Sequence, residues 1–292
     1  MNRSQLVRLR SRNRRRLLGA LLAAPAAIHA APSATLRFGT TPVFLNDQIS
    51  LLSVWQTYLE RQLEQPVRFV QRANYREVLD GLLDESIDVA WLCGFPYVAQ
   101  EQKLFLVAVP VYEGVPLYRS YLIVPSTDTK TRSIVDLAKR VYAFSDPLSN
   151  SGYLVPSAEL VRAHLTVASH FRRTFFTYSH RKVVEAVQAG VADAGSVDGY
   201  VWDTLAVQLP KSTVGVRIAW RSPTYGFPPI VARRSLGDES TRRIAEVLVA
   251  MNNSDEGRQI LARLNLDGFA IDKPSLFDGV RELVSIVQRG RT

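Results

Sequence analysis

The stretch FSDPLSNSGYLVP, residues 144–156, carries the most information about the fold and function of this chain. A β-rich run ends at Phe144, a polar turn follows, and a helical apolar pattern then extends over residues 151–166. The Ser-Asn-Ser run at 149–151 therefore lies at the start of a helix. This order, a strand followed by a polar turn and a helix, is typical of an open α/β sheet, in which ligands bind at the carboxyl ends of the strands.

The polar run can also serve the helix itself. A helix start leaves several backbone N–H groups without partners and carries a partial positive charge, so it binds anions readily. Ser and Asn are also the preferred N-cap residues, and plain capping is the alternative interpretation. One cap residue satisfies that need, whereas three in a row followed by Gly152 exceed it. The pattern therefore favours an anion site.

Outward from this stretch, short β-rich runs alternate with longer helical patterns. The predicted strands are Leu36–Gly39, Val67–Val70, Val89–Cys93, Leu106–Val111, Tyr121–Val124, Val141–Phe144, Thr174–Thr177, Ala192–Val197, Val216–Trp220 and Pro229–Ala232. The predicted helices are 47–63, 75–85, 95–102, 134–139, 151–166, 180–189, 199–207, 238–264 and 275–289. Such alternation predicts open, mostly parallel sheets flanked by helices. Ten strands would crowd one sheet, so we expect two α/β lobes.

The first thirty residues have the pattern of a secretory signal peptide. A basic region ends at Arg16, a short apolar core covers 17–28, and small residues follow at Ala30 and Ala31, where we expect cleavage. The Arg14–Leu18 run also permits the twin-arginine route. A short membrane anchor or an amphipathic helix is the alternative, but the apolar core is well short of a membrane span. We therefore expect export to the periplasm.

Charge and cysteine content narrow the function further. The formal net charge is +9, but seven arginines lie within residues 1–30, so the remaining body is nearly neutral and we expect no nucleic-acid partner. The chain has one cysteine, Cys93, so no intramolecular disulfide can form. Cys93 lies in an apolar run, which favours a buried core residue over a nucleophile.

Several segments together resemble a known family. Asp146-Pro147-x-Ser149-x-Ser151-Gly152-x-Leu154-Val155-Pro156 resembles a segment of the periplasmic phosphonate-, phosphite- and phosphate-binding proteins of ABC transporters. Other segments that match in order are 74–78 with 87–91, the crossing strand 118–124, the helix start 179–187 with 192–195, and the return 222–231. The resemblance covers roughly residues 35–270.

This resemblance implies a two-lobed type II periplasmic binding protein with a two-strand hinge. Lobe 1 would comprise 33–119 plus 225–292, and lobe 2 would comprise 120–224. A small oxyanion would bind in the cleft between the lobes and be delivered to a membrane ABC permease. We expect a monomer without a cofactor or a metal.

The resemblance suggests most of the ligand-binding residues, and Tyr97 and Asp198 are added because each follows a predicted strand at its carboxyl end. The candidates are Tyr75, Tyr97, Tyr118, Ser149, Asn150, Ser151, Gly152, His180 and Asp198. Those at 149–152 match the family's donors to phosphonyl oxygens, with Asn150 at a position where the family often has Thr. Each of the others has a purely structural alternative. These are packing for the three tyrosines, an exposed position near the helix start for His180 and an N-cap for Asp198.

The ligand and the partner remain open at this stage. Family members that bind aminoalkylphosphonates place acidic groups against the ammonium, and the two corresponding positions are Tyr200 and Pro228 here. A compact oxyanion is therefore favoured, although the aromatic stretches 91–97 and 200–202 also permit a larger organic ligand. A periplasmic sensor that signals to a membrane protein would have the same fold. An enzyme is the weaker alternative, because the sequence lacks recognised metal, nucleophile-elbow or Walker motifs.

Overall fold

The structure is a computed structural model that describes residues 34–41 and 49–290. The predicted signal peptide, residues 1–30, lies outside the described residues, and its boundaries stay a prediction. Among the described helices, none is both long and apolar enough to cross a membrane.

The first sheet combines the two ends of the described chain. Its six strands are β1 (Leu36–Thr40), β2 (Val67–Gln71), β3 (Val89–Trp91), β4 (Leu104–Val111), β12 (Ile230–Arg233) and β13 (Gly268–Ala270). They lie in the order β13-β4-β12-β3-β1-β2. β1 pairs in parallel with β2 and β3, whereas β12 lies antiparallel between β3 and β4.

The second sheet is built from the middle of the chain. Its five strands are β6 (Ser120–Pro125), β7 (Val141–Phe144), β8 (Arg173–Phe176), β9 (Ala194–Asp198) and β10 (Val216–Arg221). They lie in the order β10-β6-β9-β7-β8. β7 is parallel to β8 and β9, and β6 is antiparallel to both of its neighbours.

The predicted open sheets flanked by helices are present, but only four of their nine described strand pairings are parallel. Strands that follow one another through a helix, such as β1, β2 and β3, run in one direction, as right-handed crossovers require. The strands that first enter each sheet after the chain crosses over, β6 and β12, run against their neighbours. Both sheets are therefore mixed, because the chain passes from one to the other and back.

A small two-stranded sheet joins the two larger ones. β5 (Leu117–Tyr118) and β11 (Tyr225–Gly226) pair antiparallel, with Tyr118 opposite Tyr225. They lie directly before β6 and after β10, where the chain crosses in each direction. This pair forms the two-strand hinge that the resemblance implies. Neither strand is among those predicted from apolar runs, since each has only two residues.

Helices cover both sheets. They are α1 (Ile49–Leu63), α2 (Tyr75–Leu83), α3 (Gly94–Gln100), α4 (Val155–Arg162), α5 (Val167–His170), α6 (His180–Gln188), α7 (Gly199–Gln208), α8 (Asp238–Val249), α9 (Asp255–Leu264) and α10 (Asp278–Arg289). One face of α1 repeats apolar residues at helical spacing and is buried, including Trp55 and Leu59. The helical stretch predicted over 238–264 consists of two helices, α8 and α9, because Ser254 is the N-cap of a second helix.

The segment after β7 differs most from its prediction. A π-helical turn, Asn150–Leu154, precedes α4, so the expected helix begins with a widened turn. Single π-turns of this kind occur mostly at functional sites. The helix predicted over 134–139 is a 3₁₀ turn, Ile134–Leu137, and Ser133 and Asp136 form a capping box at its start.

Candidate functional site

The candidate site lies where the carboxyl ends of strands from both large sheets meet. Trp91 ends β3, Asp198 ends β9, and the turn 145–152 follows β7 directly. Connections at the carboxyl ends of strands are where open α/β sheets bind ligands. The topology therefore brings together segments that are far apart in the sequence.

A small cavity marks this meeting point. The residues that line it are Thr41, Tyr75, Trp91, Cys93, Asp198, Tyr200, Phe227 and Pro228. Its free space for the centre of a water molecule is about 10 Å³, which is roughly enough for one water. The walls are aromatic apart from Thr41, Cys93, Asp198 and Pro228, and none of these lining residues is a lysine or an arginine.

The turn after β7 is held in place by its own polar residues. Asp146 accepts hydrogen bonds from the backbone N–H of Leu148 at 2.8 Å and of Tyr75 at 3.1 Å. Ser149 is the N-cap of the π-helical turn, since its Oγ accepts from the backbone N–H of Gly152 at 2.9 Å. The capping alternative therefore describes Ser149, and the two residues that follow it are left for other contacts.

Gly152 is required by close packing inside the turn. A Cβ atom at this position would lie 1.8 Å from the Ser145 Oγ and 3.1 Å from the Ser149 Oγ. No side chain can occupy that space without moving the serines. The glycine therefore allows two serine hydroxyls to sit directly against the start of the helix.

Asn150 connects the turn to residues of the first sheet and the hinge. Its backbone N–H donates to the Cys93 Sγ at 3.2 Å, and its Nδ2 donates to the Tyr118 hydroxyl at 3.0 Å. Within the described residues its Oδ1 is buried without a hydrogen-bond partner. A half-turn of the amide would let Tyr118 donate to the carbonyl and would free the NH₂ to donate elsewhere.

Ser151 has a buried hydroxyl near the hinge strand β5. Its backbone carbonyl accepts from the Ser120 Oγ at 2.7 Å, whereas its own Oγ makes no hydrogen bond of good geometry with the described residues, although it lies close to Tyr118. The Ser145 Oγ is buried and unpartnered in the same sense. Leaving a buried hydroxyl unpaired costs about 1–3 kcal/mol. These hydroxyls are therefore in position to donate to a ligand.

Tyr75, His180 and the Asp198 backbone form a hydrogen-bonded chain. The backbone N–H of Asp198 donates to the His180 Nδ1 at 3.1 Å, and the His180 Nε2 lies 3.2 Å from the Tyr75 hydroxyl. Because Nδ1 accepts, the proton of the neutral ring is on Nε2 and is donated to the Tyr75 oxygen. The hydroxyl proton of Tyr75 is then free to point at a ligand.

Burial keeps this chain uncharged. Burial lowers the pKa of His180 to about 3 and raises the pKa of Tyr75 well above its usual value. His180 is therefore a buried, neutral positioning residue and not the exposed residue near the helix start of the alternative interpretation. Its ring orients Tyr75, whose N–H and hydroxyl contact residues of the second sheet at Asp146 and His180.

Asp198 caps a helix and also lines the cavity. Its carboxylate accepts from the backbone N–H of Val201 at 3.3 Å as the N-cap of α7. Burial raises the pKa of this carboxyl to about 7. Asp198 is therefore both the N-cap of α7 and a residue of the cavity wall.

Two further sequence predictions have different outcomes. Tyr97 is buried but its ring packs on Phe277 at 5.0 Å between centroids, and it does not line the cavity. The structure does not bring it to the other candidates. Cys93 is buried as predicted, and burial raises the pKa of its thiol to about 12. It also lines the cavity as the acceptor for Asn150.

Sequence reasoning missed most of the cavity wall. Thr41, Trp91 and Phe227 were not among the candidates, and Tyr200 and Pro228 entered only as positions that lack an acid. Asp146, which lies outside this wall, was not a candidate either. Trp91 donates its indole N–H to the Pro228 carbonyl at 2.9 Å, which fixes both residues. The signal that could have found Asp146 is the Asp-Pro at the end of a strand, where an aspartate accepts from nearby N–H groups.

The sequence is similar to those of known periplasmic binding proteins. The sequence profile of the family described as "ABC transporter, phosphonate, periplasmic substrate-binding protein" matches residues 38–276. The phosphonates-binding periplasmic protein of Escherichia coli is 26% identical over 258 residues, covering 85% of this chain and 75% of that protein. A probable ABC transporter phosphite binding protein of Prochlorococcus marinus is 23% identical over 238 residues, covering 77% of this chain and 80% of that protein.

Solved structures show the same fold. A binding protein component of an ABC phosphonate transporter from Pseudomonas aeruginosa has a TM-score of 0.81 at 22% identity, covering 88% of this chain and 87% of that one. A Prochlorococcus marinus protein solved in complex with methylphosphonate has a TM-score of 0.78 at 22% identity, covering 87% of this chain and 98% of that one. Because the family profile covers most of the chain, this protein belongs to the family of periplasmic substrate-binding proteins of phosphonate ABC transporters.

Proposed function

We propose that this protein captures a small phosphorus oxyanion in the cleft beside the turn 145–152 and delivers it to the permease of an ABC importer. The ligand class comes from the family and from the names of the relatives, of which one binds methylphosphonate. The chemistry of the cleft is consistent with this class, because its free donors are hydroxyl and amide groups that suit a compact oxyanion.

The observation that carries the proposal is the buried hydroxyl of Ser151. It lies at the start of the helix, is 1% exposed as a residue, and its Oγ has no hydrogen bond of good geometry to the described residues. The Asn150 NH₂ and the free proton of Tyr75 belong to the same cluster. Asn150 contacts Tyr118 and Cys93, and Tyr75 lies near both of them. Donors prepared in this way are the usual means of holding an oxyanion without a counter-charge.

The cavity wall favours a ligand whose substituent is small and uncharged. Trp91, Phe227 and Pro228 are apolar, and the Tyr200 hydroxyl is used by the Leu264 carbonyl. An ammonium group directed at these residues would lose its hydration without a partner, and the one carboxyl among the described lining residues, Asp198, already caps α7. We therefore propose phosphite, phosphate or a small alkylphosphonate, and not an aminoalkylphosphonate.

We also propose the division into lobes and a closing motion. Lobe 1 is residues 33–119 plus 225–292, lobe 2 is residues 120–224, and the β5–β11 pair is the hinge. The hydrogen bonds from Tyr75 to Asp146 and from Asn150 to Cys93 would form when the lobes close. Small-angle scattering should then show a smaller radius of gyration when methylphosphonate is added, and an unchanged radius would contradict the closing motion.

The protein's processing and chemistry follow the family. We propose that the signal peptide is cleaved near Ala30 and Ala31 and that the mature protein binds its ligand without turning it over. Among the described residues there is no cluster of three His, Cys, Asp or Glu side chains that could hold a metal ion. Intact mass of periplasmic protein tests the cleavage, and assays for phosphate-ester hydrolysis with and without divalent metals test the absence of turnover.

The decisive experiment removes one hydroxyl. Hydrogen bonds to charged groups contribute about 1.5–3 kcal/mol, so Ser151→Ala should weaken binding of the best oxyanion roughly 10- to 150-fold, since about 1.4 kcal/mol is tenfold. Calorimetry with methylphosphonate, phosphite and phosphate measures this effect.

Ser157→Ala is the matched control, because Ser157 in α4 also has a buried hydroxyl without a partner among the described residues and lies beyond the turn 145–152 that follows β7. This variant should bind within twofold of the wild type. Equal affinities for the two variants would show that the turn after β7 does not hold the ligand. Failure of the wild type to bind any phosphorus oxyanion would overturn the proposed function itself.

A further inference from the structure

We propose that Asp198 shares a proton with the bound oxyanion, so that above neutral pH the protein takes up one proton with each ligand. Asp198 thereby determines specificity, because it admits oxyanions that can carry or accept a proton and rejects those that cannot. This inference rests on the proposed function and concerns the same cleft.

The position of Asp198 is the first reason. The residue ends β9, is 3% exposed, and its side chain lines the cavity opposite Tyr75 and Cys93. Its register partner on β6 is Ser120, whose Oγ donates to the Ser151 carbonyl at 2.7 Å. The carboxyl group is therefore next to the segment that offers its hydroxyl to the ligand, and an oxyanion held there would meet it.

The absence of a compensating charge is the second reason. The contacts that the carboxyl makes are with backbone N–H groups at the start of α7, and none of the described lining residues is cationic. Two negatively charged oxygens brought together in a buried site repel each other strongly, so one of them takes up a proton. Paired carboxylates in proteins share one proton for the same reason. One proton between them turns a repulsion into a charge-assisted hydrogen bond.

Among the described groups that lie around this site, only Asp198 is available to accept that proton. They are Tyr75 of α2, Cys93 at the start of α3, Tyr118 of β5, His180 of α6, and Tyr200 and Asp203 of α7. Burial raises the pKa of each tyrosine and of the thiol, and it lowers the pKa of His180 to about 3. The three tyrosines, the thiol and the imidazole are therefore neutral near pH 7, and none of these five groups changes charge there.

Asp203 is the other carboxyl in this set, and it is engaged elsewhere. It accepts hydrogen bonds from the hydroxyls of Tyr121 at 3.0 Å and Tyr112 at 3.3 Å, outside the cavity wall. Asp146 is likewise occupied by the N–H groups of Tyr75 and Leu148. Burial raises the pKa of Asp198 to about 7, so its proton is exchanged in the range where phosphorus oxyanions also titrate.

The proton balance is explicit. Above neutral pH the free protein has an ionised Asp198 and the free ligand is a dianion, and the complex contains one proton more than the two separated partners. Solvent supplies that proton. The affinity should therefore fall about tenfold for each pH unit above the free-state pKa of Asp198, in the range where the ligand is already a dianion.

The test measures proton uptake directly by calorimetry with methylphosphonate in buffers that differ in protonation enthalpy. At about one pH unit above both the free-state pKa of Asp198 and the second pKa of the ligand, the wild type should take up most of one proton. Asp198→Asn keeps the N-cap of α7, since Asn caps helices as well as Asp does, and its amide donates in place of the shared proton. This variant should take up close to none and should lose the fall of affinity with pH.

Sulfate provides a second readout, because it stays a dianion without a proton throughout this range. It should bind the wild type at least tenfold more weakly than methylphosphonate, and Asp198→Asn should narrow that difference. Should the variant fail to fold, the wild-type uptake and its weak binding of sulfate still test the proposal.

Three outcomes would overturn the inference. The wild type could bind methylphosphonate without proton uptake, or the uptake could persist in Asp198→Asn, which would place the proton on another group. A third is tighter binding of 2-aminoethylphosphonate than of methylphosphonate, lost in Asp198→Asn, which would make Asp198 a partner for an ammonium. In all three the protein still binds a phosphorus oxyanion, so they are distinct from failure of the proposed function.

Discussion

Two buried aspartates show how differently this fold uses the same side chain. Asp88 is 4% exposed and lies just before β3, at the amino end of the first sheet. Asp198 is 3% exposed and lies at the carboxyl end of β9 in the second sheet. Their burial is almost equal, and their surroundings are opposite.

Asp88 is neutralised by two cations. Arg37 reaches it with Nη2 at 2.7 Å and Nε at 2.8 Å, and Arg233 reaches it with Nη2 at 2.9 Å. Burial alone would raise the pKa of Asp88, but the hydrogen bonds from these arginines outweigh it and the net shift is downward.

Among the described residues, the carboxyl of Asp198 accepts hydrogen bonds only from backbone N–H groups, and burial raises its pKa to about 7. Asp88 ties β1, β3 and β12 together. The unsatisfied charge of Asp198 is available for function, as perturbed groups in clefts often are.

The largest expected effect comes from breaking the paired aspartate. Asp88→Asn leaves two guanidiniums facing a neutral amide, and breaking a buried ion pair costs about 3–5 kcal/mol. We expect about 3 kcal/mol of lost unfolding free energy, because both arginines reach solvent. Urea denaturation measures this loss, and the affinity for methylphosphonate should stay within twofold. A stability loss below about 1 kcal/mol would contradict the role assigned to Asp88.

The second prediction concerns the pH dependence of the unfolding free energy and compares the contributions of Asp198 and His180. The folded-state pKa of Asp198 is about 7, above its unfolded value, so its contribution to stability falls as the pH rises between about 4 and 7. The folded-state pKa of His180 is about 3, below its unfolded value, so its contribution rises with pH between about 3 and 6.5. In the wild type the two slopes oppose each other.

Single variants should separate these slopes. Relative to the wild type, the unfolding free energy of Asp198→Asn should rise with pH by about 1.4 kcal/mol per unit between about pH 4.5 and 6, and that of His180→Gln should fall by a similar amount. Urea denaturation at several pH values, without ligand, measures both. Parallel curves for the three proteins would mean that the two groups are not buried as described.

A smaller effect is expected at the hydroxyl that His180 orients. Tyr75→Phe removes the acceptor of the His180 N–H and the donor that we assign to the ligand. We expect a loss of about 1 kcal/mol in stability and roughly tenfold in affinity for methylphosphonate. Tyr97→Phe is the control, since Tyr97 packs on Phe277 away from the cavity, and its affinity should not change. Equal affinities for both variants would remove Tyr75 from the binding site.

The smallest effect is expected at the cap of the π-helical turn. Ser149→Ala removes the acceptor for the Gly152 N–H and should lower stability by about 1 kcal/mol, as for other N-caps. If its hydroxyl also donates to the ligand, the affinity falls in addition. Denaturation and calorimetry separate the two roles, and a variant with unchanged stability would contradict the cap.

The sequence by itself determined the local elements and the family. Periodicity placed the buried face of α1 and most strands, because burial of one face imposes a 3.6- or 2-residue repeat. The Ser-Asn-Ser-Gly run at 149–152 indicated a special helix start, because hydroxyl and amide side chains there satisfy backbone groups within three residues. Each of these signals is local in the chain.

Only the tertiary structure decided which local signals form one site. It paired Tyr75 with His180, placed Cys93 against Asn150, and left Tyr97 with Phe277, although Tyr75 and Tyr97 were both ligand candidates in the sequence. It also gave the two aspartates opposite character, because a carboxyl's pKa depends on burial and on which charges lie within a few ångströms. Those neighbours come from strands and helices far apart in the sequence, and no spacing rule specifies them.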